Sequence, residues 1–241
     1  LIGLGSWKAT SGGAPSSTLH LRGLDTRITA LIEAAQPSLD FDGFEWLRRA
    51  ALADAVAWDR EFGRVRDVSR LGVERNLFRY RPVPVAVRAT GDAPWRELLR
   101  VTIAAIRAGS DFTLSTPVGL PAAVRRVLGE LRVPVSVETD DEWVERMRRR
   151  GDAVGIDADA TGDSVVAVPA ARTRIIGGAA AVAALHRALA EAVEGDPDLA
   201  VYDGEVTTAG RIELLPFVRE QSIAITAHRF GHPDAWSEDV I

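Results

Sequence analysis

The sequence Arg174-Ile175-Ile176-Gly177-Gly178-Ala179 places two glycines at an expected strand-to-helix turn. In dinucleotide folds, glycines there let backbone N–H groups approach a pyrophosphate at a helix N-terminus. The rest of that fingerprint is missing, so Gly177 and Gly178 are expected to form a tight structural turn. Gly3-Leu4-Gly5 is a weaker version of the same signal. Residues 157 to 163 read Asp-Ala-Asp-Ala-Thr-Gly-Asp, like the start of a calcium loop. Position 12 of such a loop would be Val168 where the ion needs a bidentate Glu, so an acidic surface loop is expected.

The four histidines, His20, His186, His228 and His232, lack the two-His helix spacing of a zinc protease. His228 and His232 could face one metal, but no third ligand is evident, and no metal site is expected. The chain has no cysteine, which excludes disulfides, thiolate metal sites and thiol nucleophiles. Lys8 is its one lysine, so neither a P-loop lysine nor an internal Schiff-base lysine is available. No Gly-x-Ser-x-Gly elbow supports a hydrolase of that kind. Arg146 and Arg148 to Arg150 share an expected helix with Glu142 and Glu145, which reads as a solvated face with paired charges. From these residues no catalytic constellation assembles.

The elements that would position such groups alternate. Leu21, Leu24, Ile28, Leu31 and Ile32 predict a helix ending before Pro37. A second helix is expected near 44 to 62, its packing stripe made by Phe44, Leu47, Ala51, Ala55, Trp58 and Phe62. Beyond Pro82, strands are expected at 83–89, 111–115, 133–137, 165–168, 173–176 and 199–202. Between them, helices follow Trp95 up to Gly109, Pro121 onward, 141–150 and 179–193. Short strands alternating with amphipathic helices predict an α/β fold with a Rossmann-like, doubly wound, mostly parallel sheet. Ile212 to Phe217 and Ser222 to Ala227 read as two further strands, with Ile223 and Ile225 on one face. The expected organisation is a linker at 1–18, a helical segment at 19–81, the Rossmann-like domain at 82–204 and a C-terminal β-flap and tail at 205–241.

Composition narrows the classes. Of 241 residues 46% are hydrophobic and 26% charged, with a formal net charge of −5, as in an ordinary globular protein. Acids are interspersed among 28 arginines and outnumber the basic residues, which argues against nucleic acid as partner. No apolar run approaches the roughly 20 residues that span a bilayer. The first residue is Leu and the one methionine is Met147, so a processed or excised chain is expected, with 1–7 belonging to a preceding domain.

Two stretches carry a family resemblance. Val85 to Pro94, with the helix to Gly109 and the strand to Ser115, resembles the first βαβ unit of the aldehyde dehydrogenase superfamily. Arg219-Glu220-Gln221-Ser222-Ile223-Ala224-Ile225-Thr226-Ala227-His228-Arg229-Phe230-Gly231 is similar to the superfamily's C-terminal oligomerisation strand. Together with Gly72-Val73-Glu74-Arg75-Asn76 and the opening Leu-Ile-Gly-Leu-Gly-Ser-Trp, this tail is similar to the C-terminal region of long proline utilisation A proteins. Those are bifunctional enzymes joining proline dehydrogenase to glutamate-γ-semialdehyde dehydrogenase. The resemblance covers residues 45 to 232.

What it implies turns on the departures. Asp92 stands where active members carry the Asn that donates to the oxyanion, and a carboxylate would repel that charge. Ser115 stands where the family has a lysine on the cofactor ribose. The glycine turn survives as Gly177-Gly178, and the catalytic Cys is missing. About 20 residues separate the nucleotide-binding layout from the flap, too few for a catalytic domain of at least about 100. The resemblance therefore implies a non-catalytic, cytoplasmic domain with no cofactor of its own, FAD and NAD belonging to the parent enzyme. Gly177, Gly178 and Ser115 would be vestiges of cofactor binding. Gln221 to Phe230 would form the interface to the preceding dehydrogenase domain or a second protomer, covering a substrate tunnel. Two alternatives stay open: the NAD-binding portion of a 1-pyrroline-5-carboxylate dehydrogenase, and a free-standing oligomerisation module.

Overall fold

Aspartate side chains start the first two helices. Asp25 accepts from the Arg27 backbone N–H at 2.9 Å and opens α1 (Thr26–Ala35); Asp40 accepts from Gly43 N–H at 2.7 Å and opens α2 (Phe41–Ala57). The computed structural model describes residues 23–71, 74–152, 171–226, 228–229 and 232–233. The stretches at 1–18 and 157–163, the strand expected at 165–168, and Ala227 and Phe230 lie outside them. After α2 one wider turn, Trp58–Phe62, closes with Gly63 N–H donating to the Trp58 carbonyl.

Next come β1 (Arg66–Asp67), β2 (Glu74–Pro82) and β3 (Val85–Ala89). Trp95 starts α3 (Trp95–Ala108), which Gly109 ends in the left-handed region at φ 65°, as its position past the last apolar residue predicts. There follow β4 (Phe112–Thr116), α4 (Ala122–Glu130) directly after Pro121, and β5 (Val135–Val137). A reciprocal cap starts α5 (Asp140–Asp152): Thr139 N–H donates to Glu142, and Glu142 N–H donates to Thr139 Oγ1. The chain continues through β6 (Arg172–Ile176), α6 (Ala179–Ala192), β7 (Ala200–Tyr202), the single turn α7 (Gly210–Glu213) and β8 (Val218–Thr226). Two-residue strands β9 (His228–Arg229) and β10 (His232–Pro233) pair with each other.

Five strands form one parallel sheet in the order β5-β4-β3-β6-β7. Ranked along the chain this is 3-2-1-4-5, the order of the Rossmann sheet up to its fifth strand. Alternation along β6 separates the faces: Ile176 joins the core under α1 to α4, and Ile175 joins the core of Trp143, Met147, Val182, Leu185 and Leu189 between α5 and α6. The doubly wound α/β expectation is met. Among the described residues no helix is long and apolar enough to cross a membrane.

Two expectations are corrected. The segment 19–81 is not helical throughout, since β1 and the start of β2 lie in it. β2 pairs antiparallel with β8 from Glu74↔Thr226 to Pro82↔Val218, giving a sheet ordered β1-β2-β8. Its sequence hides the strand because both faces are partly covered: only Leu77 is fully buried, and arginines at 75, 79 and 81 break the apolar alternation. Residues 212–217 are not a strand either. Gly210–Glu213 and Leu215–Phe217 are successive tight helical turns that bring the Glu213 carboxylate inward to Arg174.

Candidate functional site

The chain leaves β3 in one direction, through α3 to β4, while β6 lies against the opposite side of β3. Ligands of open parallel sheets bind at the carboxyl ends of strands where the order reverses in this way. Here the carboxyl ends of β3 and β6 meet. Thr90 N–H donates to the Ile176 carbonyl at 2.9 Å, drawing the loop after β3 onto the turn after β6. Asp92 in that loop accepts at Oδ1 from Thr90 Oγ1–H at 2.6 Å and from Gly178 N–H at 3.2 Å. These two bonds, Thr90's first, hold the exposed Asp92 carboxyl below the usual aspartate range.

The glycines of the turn are used by this internal contact. A Cβ on Gly177 would lie 1.8 Å from Thr90 Oγ1, and one on Gly178 would lie 2.4 Å from Asp92 Oδ2. The expected tight turn is therefore found. Asp92, Gly177 and Gly178, separately singled out in the sequence, form one cluster at the N-terminus of α6.

Ser115 lies elsewhere in the same crevice. It is buried at the end of β4, where a dinucleotide fold meets the ribose. Its hydroxyl donates to Glu138 at 2.6 Å and accepts from Arg88 Nη1 at 2.6 Å. Arg88 is fully buried on β3; it also donates to the Glu138 carbonyl at 3.0 Å and to Asp140 at 2.6 Å. Its guanidinium carbon lies 5.9 Å from the centroid of the Trp143 ring. Burial pushes the Glu138 carboxyl up, but hydrogen bonds from Arg146 and Ser115 outweigh it and hold the group below the usual range. A surface depression of about 400 Å³ beside it is lined by Val137, Glu138, Glu142, Glu145, Arg146 and Arg149. Arg149 bonds to Glu145 one turn back, as the paired, solvated reading of this helix expects, whereas Arg146 reaches off the helix to Glu138.

A nicotinamide dinucleotide, which the fold brings to mind, does not fit these residues. The Asp92 carboxylate, bonded to the Gly178 N–H, stands at the α6 N-terminus where its pyrophosphate would lie. The ribose position is consumed by the Arg88–Ser115–Glu138 chain, and Trp143 fills the space between α5 and α6.

Sequence reasoning missed a second set of polar groups that ties the flap to the body. Asp54 and Arg100 form a fully buried bidentate pair at 2.6 and 2.7 Å, and Arg100 Nε donates to the Thr207 carbonyl. Burial pushes Asp54 up to about 6 against the pull of Arg100. Arg174 donates to the Gly204 carbonyl at 2.7 Å and bonds to Glu213 at 3.3 Å. Arg172 donates to the carbonyls of Leu215, Pro216 and Val218 at the root of β8. Charged residues inside otherwise apolar stretches, Asp54 and Arg100 on helices and Arg172 and Arg174 on β6, were the available signal, blurred by 28 arginines.

Of the expected interface, Gln221 accepts from Arg79 Nε at 2.7 Å, and Ile223 and Ile225 lie opposite Leu77 and Arg75. Ser222, Ala224 and Thr226 are exposed on the other face, as the alternation predicts. One edge of the flap strand is thus used by β2 of the same chain. His228 and Arg229 form β9, which pairs antiparallel with β10. Among the described residues no three metal-ligating side chains cluster. An exposed pair, His186 on α6 and Asp203 after β7, meets at 2.7 Å.

No protein-family model matches the sequence, and no curated protein matches it either. Solved structures do. Proline utilization A from Corynebacterium freiburgense superimposes with a TM-score of 0.51 and 25% identity, over 92% of this chain and 16% of that one. A point variant of Bradyrhizobium japonicum proline utilization A gives 0.50 and 15%, over 76% of this chain and 19% of that one. Methylmalonate-semialdehyde dehydrogenase from Oceanimonas doudoroffii gives 0.40 and 13%, over 69% and 36%. The fold is that of a proline utilization A segment. The chain spans less than a fifth of the length of the two proline utilization A structures.

Proposed function

We propose that this chain is a non-catalytic, aldehyde-dehydrogenase-like C-terminal module of a bifunctional proline-catabolic enzyme that converts proline to glutamate. It packs on the glutamate-semialdehyde dehydrogenase domain of the same polypeptide or of a second protomer, supports assembly and covers the channelling tunnel in a cytoplasmic enzyme. FAD and NAD serve the other domains.

The observation that carries this is the self-filled crevice on a sheet of Rossmann order. Asp92 bonds to Gly178 N–H, and Arg88 is spent on Ser115, Glu138 and Asp140. The 25% identity across 92% of the chain with one segment of proline utilization A supports the same parent. A module that acts by contact needs a rigid body and a projecting strand. The Arg172 clamp on the root of β8 and the nine-residue β2–β8 ladder supply both.

The test uses the full parent polypeptide with residues 227–241 removed, which leaves the β2–β8 ladder whole. The expected result is a longer lag in NADH formation from proline and a changed sedimentation profile. An unchanged lag with unchanged assembly refutes the docking role. Aldehyde oxidation by the isolated chain with a nicotinamide refutes the non-catalytic one. The same clash at Asp92 disfavours the alternative of an NAD-binding dehydrogenase portion. Self-association of the isolated chain would favour a free-standing oligomerisation module.

A further inference from the structure

We propose that Asp92 is the residue that closes this crevice to dinucleotides, its carboxylate serving as a built-in anion at the α6 N-terminus. The assignment rests on the non-catalytic reading above and names the group responsible for it.

Three features converge. The Gly178 N–H, a donor that a pyrophosphate would need, is already given to Asp92 Oδ1 at 3.2 Å. Thr90 Oγ1–H holds the same oxygen at 2.6 Å, and Thr90 N–H anchors the loop on the Ile176 carbonyl, so the carboxylate does not swing freely. The absence of side chains at Gly177 and Gly178 makes room for Thr90 and Asp92, into which any Cβ would run. In a cofactor-binding turn that room admits the phosphate; here the chain's own aspartate has taken it. An incoming pyrophosphate meets a fixed negative charge within contact distance and finds the Gly178 N–H used, two penalties that add. A bound anion would also have to displace Asp92 from the positive end of the helix dipole.

The remaining fill of the crevice, Arg88 and Trp143, concerns the nucleoside end. The sharp probe for Asp92 is therefore inorganic pyrophosphate. The 241-residue chain and its Asp92→Ala and Asp92→Asn variants are titrated with pyrophosphate and, separately, with NAD at low ionic strength by calorimetry. Melting curves without ligand establish that each variant is folded. The wild type is expected to bind neither probe below millimolar concentration, while Asp92→Ala binds pyrophosphate at least tenfold more tightly than wild type. Asp92→Asn falls between, because the amide keeps an acceptor for Gly178 N–H but carries no charge. Should Asp92→Ala fail to fold, Asp92→Asn decides: tighter pyrophosphate binding supports the assignment, and no change overturns it. A silent wild type with silent variants overturns the role of Asp92 alone and leaves the non-catalytic reading standing. Micromolar NAD binding by the wild type overturns both.

Discussion

Among the described residues Trp143 is the largest fully buried side chain, and the core between α5 and α6 is small: Trp143, Met147, Ile175, Val182, Leu185 and Leu189. Its buried indole N–H has no hydrogen-bond partner among the described residues. Two substitutions separate the effects of bulk and polarity. Trp143→Ala removes nearly the whole side chain, and such truncations cost about 3–5 kcal/mol. Against a total stability of roughly 5–15 kcal/mol, that is a large share of the fold. Trp143→Phe leaves a cavity of about 40 Å³, which at roughly 24 cal/mol per Å³ costs about 1 kcal/mol. It also removes the unpaired donor, whose burial costs about 1–3 kcal/mol. Losing the transfer free energy of the removed ring atoms costs about 1 kcal/mol more. The summed cost of about 2 kcal/mol and the relief of about 1–3 kcal/mol offset, and Phe is expected within about 1 kcal/mol of wild type. Urea unfolding at neutral pH, followed by far-ultraviolet circular dichroism, gives both values. If Phe proves as damaging as Ala, the indole N–H is bonded after all and the reasoning fails.

Gly177→Ala drives a Cβ to 1.8 Å from Thr90 Oγ1 and is expected to cost about 2–3 kcal/mol in thermal or urea unfolding; Gly91→Ala, with open space around it, costs less than about 0.5. Glu138 sits below its usual range in the folded chain, so its contribution is present above about pH 4.5 and is lost as pH falls through the folded value. Glu138→Gln should therefore flatten the acid limb of a stability–pH curve. Asp54 runs the other way: raised to about 6 by burial, its contribution is full below about pH 4 and is lost as pH rises through 6, and Asp54→Asn removes that slope. Arg172→Ala frees three carbonyls at the root of β8 and should cost about 1–3 kcal/mol, with limited proteolysis near residue 218 speeding up.

Local signals were legible where one face of an element is wholly apolar. The helix stop at Gly109, the apolar run of β3 and the stripe Val182, Leu185 and Leu189 of α6 all stand where the residue pattern puts them. β2 was not legible, because its arginines sit on a ladder whose partner, β8, lies some 140 residues on; the Arg79–Gln221 bond spans 142. The apolar residues of 212–217 suggest a strand, whereas burial of Glu213 against Arg174 fixes the path of two tight turns there.

From sequence alone came the fold class, the lack of thiol and lysine chemistry, and the separate suspicion attached to Asp92, Ser115, Gly177 and Gly178. Residue type and short-range periodicity determine the fold class, the missing chemistry and the glycine turn, since these depend on backbone geometry within a few residues, whereas Asp92 and Ser115 stand out only through the family resemblance. Tertiary structure alone decided that Asp92 meets Gly178 across 86 residues, that Arg88 saturates Ser115, and that the flap strand pairs with β2. Parallel strands joined by crossovers bring together groups with no local sequence relation, so whether a crevice is open or filled is settled only when the sheet is assembled.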